Sequence, residues 1–346
     1  MTESSHPAEP LTVSLVVLCR NEERTIESCL DSLVNQDCST ASIEVLVADG
    51  MSEDRTRQIV QDYGRRSPVV RLIDNPGKTA PCAFNVGIKA ARGSLIIIMG
   101  AHTTYPSDYV RLCVETSERT GADLVGGTMV TLTSGEGFAG RLVQALTTHR
   151  FGVGGAEFRL GAKEGPADTV PYGCYRREVF DEVGLFDERL VRNQDYEFSR
   201  RILAAGGKIW CNPAIQTKYY GQATLGGLFK QAFGTGKWNP WTWFVASYAF
   251  AARHAVPGLF VLGMFLVLSL WFLVPKGWIA VAAILVPYFA LALLASVQQA
   301  RRFGFVLAIP LPFLFFTYHS AYGLGTLWGA VRLLVGATPV QRPRRG

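Results

Sequence analysis

The stretch Val13-Ser14-Leu15-Val16-Val17-Leu18, followed after Cys19 by Arg20-Asn21-Glu22-Glu23, decides the fold of this chain. A continuous run of β-branched and aliphatic residues predicts a strand that is buried on both faces. Apolar residues at helical spacing from Ile26 to Val34 predict a helix immediately afterwards. The chain therefore begins as the strand and helix of a parallel sheet, with polar residues at the point where the strand ends.

The same pattern of strand, polar turn and helix recurs along the first hundred residues. Further strands are predicted over residues 43–48, 69–73 and 95–99, and a helix over residues 83–91. Alternation with short links predicts an α/β fold with a doubly wound, mostly parallel sheet and right-handed crossovers. In such sheets ligands bind beyond the carboxyl ends of the strands, which is where the polar clusters of this sequence lie.

The C-terminal part has a different composition. Charged residues make up 18% of the 346 residues, below the roughly 25% of soluble domains. Between His254 and Arg332 the only charged residues are Lys276, Arg301 and Arg302. Residues 255–275 and 277–300 are each long enough to cross a bilayer, which needs about 20 residues. The pattern predicts a C-terminal α-helical membrane region.

A third apolar segment, residues 303–331, contains Pro310 and Pro312, and two readings of it stay open. It crosses the membrane, or it enters and returns at the prolines. Two crossings by the earlier segments place Arg301 and Arg302 on the cytoplasmic side, as the positive-inside rule prefers.

Charge and cysteine usage limit the compartment and the partners. The net charge is +6, but no basic helix with interleaved aromatic residues is present, so nucleic acid is not an expected partner. The positive charge is expected to face anionic lipid. Seven scattered cysteines without CxxC spacing, and a polar beginning of the chain, indicate a reducing compartment. We expect a multi-pass protein of the inner (plasma) membrane with a cytoplasmic catalytic domain.

Two polar turns carry candidate binding residues. In the turn 49–56, a carboxylate at the strand end, Asp49, can accept hydrogen bonds from a ribose or a base, whereas Ser52 and Asp54 can cap the next helix. In the turn 75–78, Lys78 precedes a helix and can meet phosphate charge. Taken alone, the turn 49–56 is better explained as simple strand–turn–helix punctuation, and Lys78 as a solvated lysine of a loop.

Taken together, the motifs resemble those of family 2 glycosyltransferases with the GT-A fold. They comprise the strand and Arg-Asn-Glu over 13–22, Asp-Gly-x-Ser-x-Asp-x-Thr over 49–56, and the segment 85–93. The resemblance covers roughly residues 11–245 and is nearest to membrane-anchored enzymes of succinoglycan-type exopolysaccharide assembly. It implies a nucleotide-diphosphate sugar donor. The residues that match the nucleotide-sugar-binding positions are Arg20, Glu22, Asp49 and Asp54, with Lys78 as an addition.

The resemblance also implies a divalent cation, Mn²⁺ or Mg²⁺, bound after the fourth strand. The family usually has Asp-x-Asp or Asp-x-His there, whereas this chain has Gly100-Ala101-His102. Only His102 matches a metal ligand, and an imidazole suits Mn²⁺ better than Mg²⁺.

Asp195, in Asn193-Gln194-Asp195-Tyr196-Glu197, matches the family's general base at the start of a helix. The chemistry needs such a group, because an acceptor hydroxyl loses its proton as it attacks the anomeric carbon in a single inverting displacement. The alternative is that Asp195 merely caps the helix.

The expected activity is the transfer of one sugar to a lipid-linked, polyprenyl-type acceptor during cell-surface polysaccharide assembly. Processive relatives carry Gln-x-x-Arg-Trp, but here Gln231, Lys237 and Trp238 stand at a different spacing, which favours a non-processive enzyme. Two alternatives stay open: a polyprenyl-phosphate glycosyltransferase, and a non-catalytic membrane scaffold that binds sugar nucleotides.

The sequence divides into five predicted segments. They are a disordered N-terminus (1–10), a GT-A domain (11–220), interfacial amphipathic helices (221–254), transmembrane or re-entrant helices (255–335) and a basic tail (336–346).

Overall fold

The structure is a computed structural model, and it describes residues 11–37, 41–132, 137–220, 222 and 224–337. The predicted disordered N-terminus and residues 338–346 of the predicted basic tail lie outside this part of the chain. The chain divides into two compact units. The first comprises Met1–Met129 and Ala162–Lys218, and the second comprises Val130–Gly161 and Tyr219–Gly346.

The first unit is built on an eight-stranded sheet with the order β3-β2-β1-β4-β7-β5-β8-β6. The four adjacent strands β3, β2, β1 and β4 run parallel to one another, and β7 is antiparallel to both β4 and β5. The strands are β1 (Leu11–Cys19), β2 (Ala41–Asp49), β3 (Val70–Asp74), β4 (Leu95–Gly100), β5 (Leu124–Leu132), β6 (Gly165–Pro166), β7 (Cys174–Arg176) and β8 (Ile209–Tyr220). The prediction of an α/β domain with a mostly parallel sheet is confirmed.

Helices cover both faces of this sheet, because alternate residues of each central strand point to opposite sides. In β1, Leu15 and Val17 pack in one buried cluster, and Val16 packs in the other. The first cluster includes side chains from α1, α2 and α4, and the second includes side chains from α3, α8 and α9. These helices are α1 (Ile26–Val34), α2 (Thr56–Arg66), α3 (Ala80–Ala90), α4 (Tyr109–Thr120), α8 (Glu178–Glu182) and α9 (Gln194–Ala204).

The four early strands lie where the sequence predicts them, but two later segments differ from the prediction. The sequence of residues 179–186 predicts a helix over this whole range, but α8 ends at Glu182, because Gly184 takes a positive φ of 78° that favours glycine. The glycine-rich segment 152–165, expected as loops, overlaps two single-turn helices, Arg150–Val153 and Glu157–Leu160.

The second unit is helical. Its helices are α5 (Phe138–Thr147), α6 (Arg150–Val153), α7 (Glu157–Leu160), α10 (Leu225–Val245), α11 (Ala252–Leu273), α12 (Trp278–Phe303) and α13 (Leu311–Leu334). Its buried core joins Leu142 and Leu146 of α5 to Leu228 of α10 and Phe315 of α13. Pro310 and Pro312 flank the first residue of α13 and do not interrupt it, since the first turn of a helix needs no partner for the missing N–H groups.

Two helices of the second unit, α11 and α12, are long and apolar enough to cross a membrane by length and composition. At 1.5 Å per residue they are about 33 Å and 39 Å long, against a hydrocarbon core of about 30 Å. Only 11% and 22% of their most apolar windows are buried within the chain. Large side chains such as Phe272 and Leu273 are exposed, which is typical of a surface that faces lipid rather than water.

α10 and α13 pack in backbone contact at glycine positions. A Cβ atom built on Gly325 would lie 2.2 Å from the carbonyl oxygen of Phe233. A Cβ atom on Gly236 would lie 2.0 Å from the carbonyl oxygen of Tyr322. Small residues that let helix backbones approach closely are typical of helix pairs in membranes. At these two glycine positions the backbones of α10 and α13 pack directly against each other.

We expect the substitution Gly325→Ala to destabilise the second unit by about 1–3 kcal/mol, because the added methyl group overpacks a backbone contact. The matched control is Gly263→Ala on α11, where the nearest atom to a new Cβ is Ile284 Cδ1 at 3.9 Å. Thermal unfolding of the detergent-solubilised chain measures both. Equal melting temperatures for the two variants would contradict the close packing.

Candidate active site

The carboxyl ends of four neighbouring strands meet at one edge of the sheet. Cys19 of β1 is level with Asp49 of β2, which is level with Asp74 of β3, and Leu18 of β1 is level with Gly100 of β4. Polar residues that are far apart in sequence therefore come together in this place. All of them belong to the first unit.

Asp49 is fully buried and is held by hydrogen bonds from three groups. Its Oδ2 accepts from Arg57 Nη1 at 2.7 Å and from the backbone amide of Ser52 at 3.0 Å, and its Oδ1 accepts from the Ser52 hydroxyl. Arg57 Nη2 donates to Asp74 Oδ1 at 2.7 Å. A buried carboxylate needs such partners, since the cost of removing it from water is otherwise several kcal/mol.

The turn after β1 is connected to the turn after β2 by backbone hydrogen bonds. The amides of Asn21 and Glu22 donate to Ser52 Oγ and Thr56 Oγ1, both at 2.8 Å. The two carboxylate oxygens of Asp54 accept from the amides of Thr56 and Glu23, at 3.0 and 3.2 Å. Asp54 therefore orders this pair of turns and caps the helix that follows.

Two cations lie at the rim of this edge. The side chain of Arg20 is exposed and its aliphatic part lies over Gly50, so that a Cβ atom at position 50 would be 3.1 Å from Arg20 Cδ. Lys78 is exposed, has a φ of 57°, and its amide donates to the carbonyl of Asn75. The amide of Asn75 in turn donates to the carbonyl of Asp49 at 2.8 Å, which connects the lysine turn to β2.

Glu22 and His102 face each other at the end of β1 and β4. His102 Nδ1 lies 3.7 Å from Glu22 Oε1, which is an ion-pair distance, and Thr25 Oγ1 donates to Glu22 Oε2 at 2.8 Å. The contact with Glu22 raises the pKa of His102, and the contact with His102 lowers the pKa of Glu22. The pair offers one carboxylate and one imidazole to a ligand.

The described residues contain no group of three or more His, Cys, Asp or Glu side chains that could hold a metal ion by themselves. Gly100 has no side chain to add, but there is room for one. A Cβ atom at position 100 would lie 3.4 Å from Tyr172 Cε1 and 3.6 Å from His102 Cε1, which are ordinary contact distances. A cation here would need ligands from a bound molecule in addition to Glu22 and His102.

Asp195 is exposed at the first turn of α9, and the helix below it is firmly held. Phe198 is fully buried and stacks on Phe186 with ring centroids 4.3 Å apart. Arg201 bonds the buried Glu197 at 2.6 Å and donates to the carbonyl of Leu185. Rigid packing thus presents the Asp195 carboxylate to solvent from a fixed backbone.

The electrostatic effect of Asp195 reaches the sheet. Burial raises the pKa of Tyr175 on β7, and the carboxylate of Asp195 raises it further. Tyr175 lies on β7, which pairs with β4, the strand that ends at Gly100.

Asn85, a residue of α3, forms hydrogen bonds with the loop before α9. Its Nδ2 donates to the carbonyl of Phe186 and to Glu188 Oε1, both at 2.9 Å, and its Oδ1 accepts from the Phe186 amide at 3.0 Å. α3 begins directly after the Lys78 turn. The side-chain amide of Asn85 therefore connects the loop before α9 to the helix that follows the Lys78 turn.

The structure brings six of the predicted site residues to one edge and places Asp195 on the segment that Asn85 holds. Those six are Arg20, Glu22, Asp49, Asp54, Lys78 and His102. Sequence reasoning missed Arg57 and Asp74. Asp74 is the last residue of the third strand, so the rule that located Asp49 would have found it, whereas nothing in the local sequence points to Arg57.

Comparison with known proteins places this geometry among sugar-transferring enzymes. The model of the family described as glycosyl transferase family 2 matches residues 14–184. The succinoglycan biosynthesis protein ExoA of Rhizobium meliloti is 33% identical, over 72% of this chain and 73% of that protein.

A second relative matches over almost the whole length. It is the dolichyl N-acetyl-alpha-D-glucosaminyl phosphate 3-beta-D-2,3-diacetamido-2,3-dideoxy-beta-D-glucuronosyltransferase of Methanococcus voltae, 27% identical over 92% of this chain and 97% of that protein. Among solved structures, the mannosyltransferase PcManGT of Pyrobaculum calidifontis, in complex with GDP-Man and Mn²⁺, has a TM-score of 0.58 at 18% identity. The similarity covers 95% of this chain and 88% of that chain, and it shows a shared fold.

We expect Glu22→Gln to lower the pKa of His102, because the carboxylate that stabilises the imidazolium is removed while the burial that opposes protonation remains. An NMR titration of the His102 ring proton in cation-free buffer measures this pKa. In the wild-type chain it lies above the ordinary value of about 6.5.

The control for this titration is Glu23→Gln. Glu23 Oε2 accepts from the backbone amide of Arg55 and no contact with His102 is recorded for it. The pairing of His102 with Glu22 would be disproved by an identical His102 titration in the wild type and in Glu22→Gln.

Proposed function

Since the chain belongs to glycosyl transferase family 2 and is a glycosyltransferase, we propose that it transfers one sugar from a nucleoside diphosphate donor to a lipid-linked saccharide, with inversion at the anomeric carbon. The observation that carries this proposal is the exposed Asp195 on a loop and helix that Asn85 connects to α3. A role in cell-surface polysaccharide assembly accords with the succinoglycan relative.

We assign the binding of the nucleotide sugar to the polar residues at the ends of the early strands, which are Arg20, Glu22, Asp49, Asp54 and Lys78. Asp49 and Asp54 fix the turns against which the nucleoside would bind, and Glu22 lies beside them. Arg20 and Lys78 would neutralise phosphate charge, since exposed cations beside a helix N-terminus favour anions. Arg57 acts by holding Asp49 in place, and it is a positioning residue.

The proposed reaction is a single in-line displacement. Asp195 accepts the proton of the acceptor hydroxyl while the hydroxyl oxygen forms a bond to the anomeric carbon. The bond from that carbon to the phosphate oxygen breaks, and the nucleoside diphosphate leaves with the bonding electrons. The products are a glycosidic bond, a protonated Asp195 and the free nucleoside diphosphate.

A divalent cation fits this site with His102 and Glu22 as its protein ligands and diphosphate oxygens as the others. One imidazole and one carboxylate form a donor set that Mn²⁺ accepts. When bound, the cation would supply positive charge against the leaving diphosphate. The solved mannosyltransferase with a similar fold contains Mn²⁺ together with its donor.

A lipid-linked saccharide is the favoured acceptor over a bare polyprenyl phosphate. The relative from Methanococcus voltae is named for transfer to a dolichyl-phosphate-linked sugar, and it matches 92% of this chain. Product analysis separates the two, since one product contains a new glycosidic bond and the other a sugar phosphate ester. The spacing of Gln231, Lys237 and Trp238 supports a non-processive enzyme.

We further propose that α11 and α12 cross the inner membrane and that the first unit is cytoplasmic. Both helices have the length and apolar surface for a crossing. Arg253 at the start of α11 and Arg301 and Arg302 at the end of α12 then lie on the same, cytoplasmic side.

We expect Asp195→Asn to reduce transfer by about 10²- to 10⁴-fold, because the general base is lost while the shape of the side chain is kept. Nucleotide binding should stay unchanged. The assays are nucleoside diphosphate release with a membrane lipid extract as acceptor, and calorimetric nucleotide binding. Asp181→Asn, an exposed aspartate on α8, is the matched control. If the Asp195→Asn variant transferred sugar at the wild-type rate, Asp195 would not be the general base.

We expect Gly100→Asp to bind Mn²⁺ about tenfold more tightly than the isosteric Gly100→Asn, since affinity rises with the number of carboxylate ligands. A Cβ atom at position 100 makes only ordinary van der Waals contacts. Electron paramagnetic resonance of free Mn²⁺ measures the affinity in the presence of nucleoside diphosphate. Equal affinities for the two variants would place the cation elsewhere.

A further inference from the structure

The second unit contains a cavity of about 750 Å³ that the proposed sugar transfer does not use. Every residue that lines it belongs to this unit, and the lining side chains come from α5, α6, α7, α10, α11, α12 and α13. Ligand pockets of small molecules and cofactors are typically 300–1,000 Å³ in volume. The cavity is therefore of a size that holds a bound molecule.

Part of the lining is cationic. Arg150, Arg159 and Arg253 contribute to it, and no aspartate or glutamate is among the lining residues that the structure describes. Arg150 Nη2 lies 3.4 Å from Glu157 Oε1. Arg159 lies over the ring of Tyr219, with Cζ 4.7 Å from the centroid, and no carboxylate among the described residues lies within 4.0 Å of it.

A polar chain of hydrogen bonds adjoins the arginines. Arg253 Nε donates to His254 Nε2 at 3.4 Å, and His254 Nδ1 lies 3.1 Å from the hydroxyl of Tyr322, which also accepts from Asn239 Nδ2 at 3.0 Å. The arrangement orients the guanidinium at the edge of the cavity.

An apolar part of the lining comes from the two long apolar helices. Val256 and Phe260 of α11 and Leu291 and Leu294 of α12 line the cavity. Both helices are candidates to cross a membrane. A cavity with cations on one part and membrane-helix side chains on another fits an amphiphile with an anionic head group and a hydrocarbon chain.

The second unit as a whole carries a positive net charge, as the arginines of the cavity do. Residues 130–161 and 219–346 carry thirteen Lys and Arg residues and only two acids, Glu136 and Glu157. Guanidinium groups bind phosphate oxygens through paired, charge-assisted hydrogen bonds. The guanidinium groups of this lining match a diphosphate diester, which carries two negative charges, better than the singly charged phosphodiester of a bilayer lipid.

We propose that this cavity binds the diphosphate and the first isoprenoid units of the lipid carrier on which the acceptor saccharide is built. The proposal rests on the proposed function, and it names the site where the second unit holds the lipid substrate. Arg159 and Arg253 bind the diphosphate, and the side chains of α11 and α12 contact the isoprenoid chain.

The test uses the full chain in nanodiscs of zwitterionic phosphatidylcholine, with undecaprenyl diphosphate as the probe. Arg159→Gln and Arg253→Gln should each weaken binding about tenfold or more, the effect of losing one charge-assisted hydrogen bond. Arg301→Gln removes the same charge from the exposed end of α12, outside the cavity, and should bind as the wild type does. Donor-nucleotide binding by each variant confirms that the chain is folded.

Competition and kinetics identify the ligand. Phosphatidylglycerol or inorganic pyrophosphate in equal amount should compete poorly, and equal competition by phosphatidylglycerol would overturn the proposal in favour of a bilayer lipid. In transfer assays the two cavity variants should raise the KM for the lipid acceptor and leave the KM for the donor unchanged. If the two cavity variants transferred sugar with an unchanged KM for the acceptor, the proposed lipid site would be refuted but the proposed transferase activity would not. Arginine-dependent lipid binding without any sugar transfer would refute the proposed function but not the site.

Discussion

The two ion pairs of the Arg57 guanidinium, with Asp49 and with Asp74, are the interaction on which the arrangement of the turns at the carboxyl ends of the early strands depends. They join the last residues of two parallel strands, one buried and one exposed, at 2.7 Å each. Without Arg57 the buried Asp49 carboxylate would keep only bonds from Ser52, and a buried charge that loses its ionic partner is strongly destabilising. The turns after β1, β2 and β3 all attach to this point through Ser52, Asn21 and Asn75.

The Arg57 ion pairs are connected through α3 to the loop before α9, the helix that carries Asp195. The third turn continues into α3, and Asn85 of α3 holds the loop before α9, which carries Asp195. The proposed base, Asp195, lies on a helix rather than on a loop, and this keeps its backbone in a fixed position. Catalysis of group transfer depends on such fixed positions, because a correctly placed hydroxyl avoids most of the entropic cost of meeting the donor.

The sequence predicts the parts of this fold that depend on local pattern. β1 to β4 follow from apolar runs such as 13–18, and α9 follows from the apolar positions after Asp195. Contacts between residues that are distant in sequence do not follow from the local pattern. Arg57 bonds residues that lie 8 and 17 positions away, and Asn85 bonds Phe186 across 101 positions. Pro310 and Pro312 show a related limit, since proline marks a helix break or a helix start, and only the packed structure decides which.

The account requires that Asp49 and Asp195 serve one substrate. The most direct measurement is an experimental structure of the chain with Mn²⁺ and a non-hydrolysable donor analogue. We predict the diphosphate beside Glu22 and His102, and the anomeric carbon turned toward Asp195 with space for one hydroxyl between them, at hydrogen-bond reach of about 3 Å from the carboxylate. A donor bound with its anomeric carbon in a different cleft from Asp195 would contradict the account.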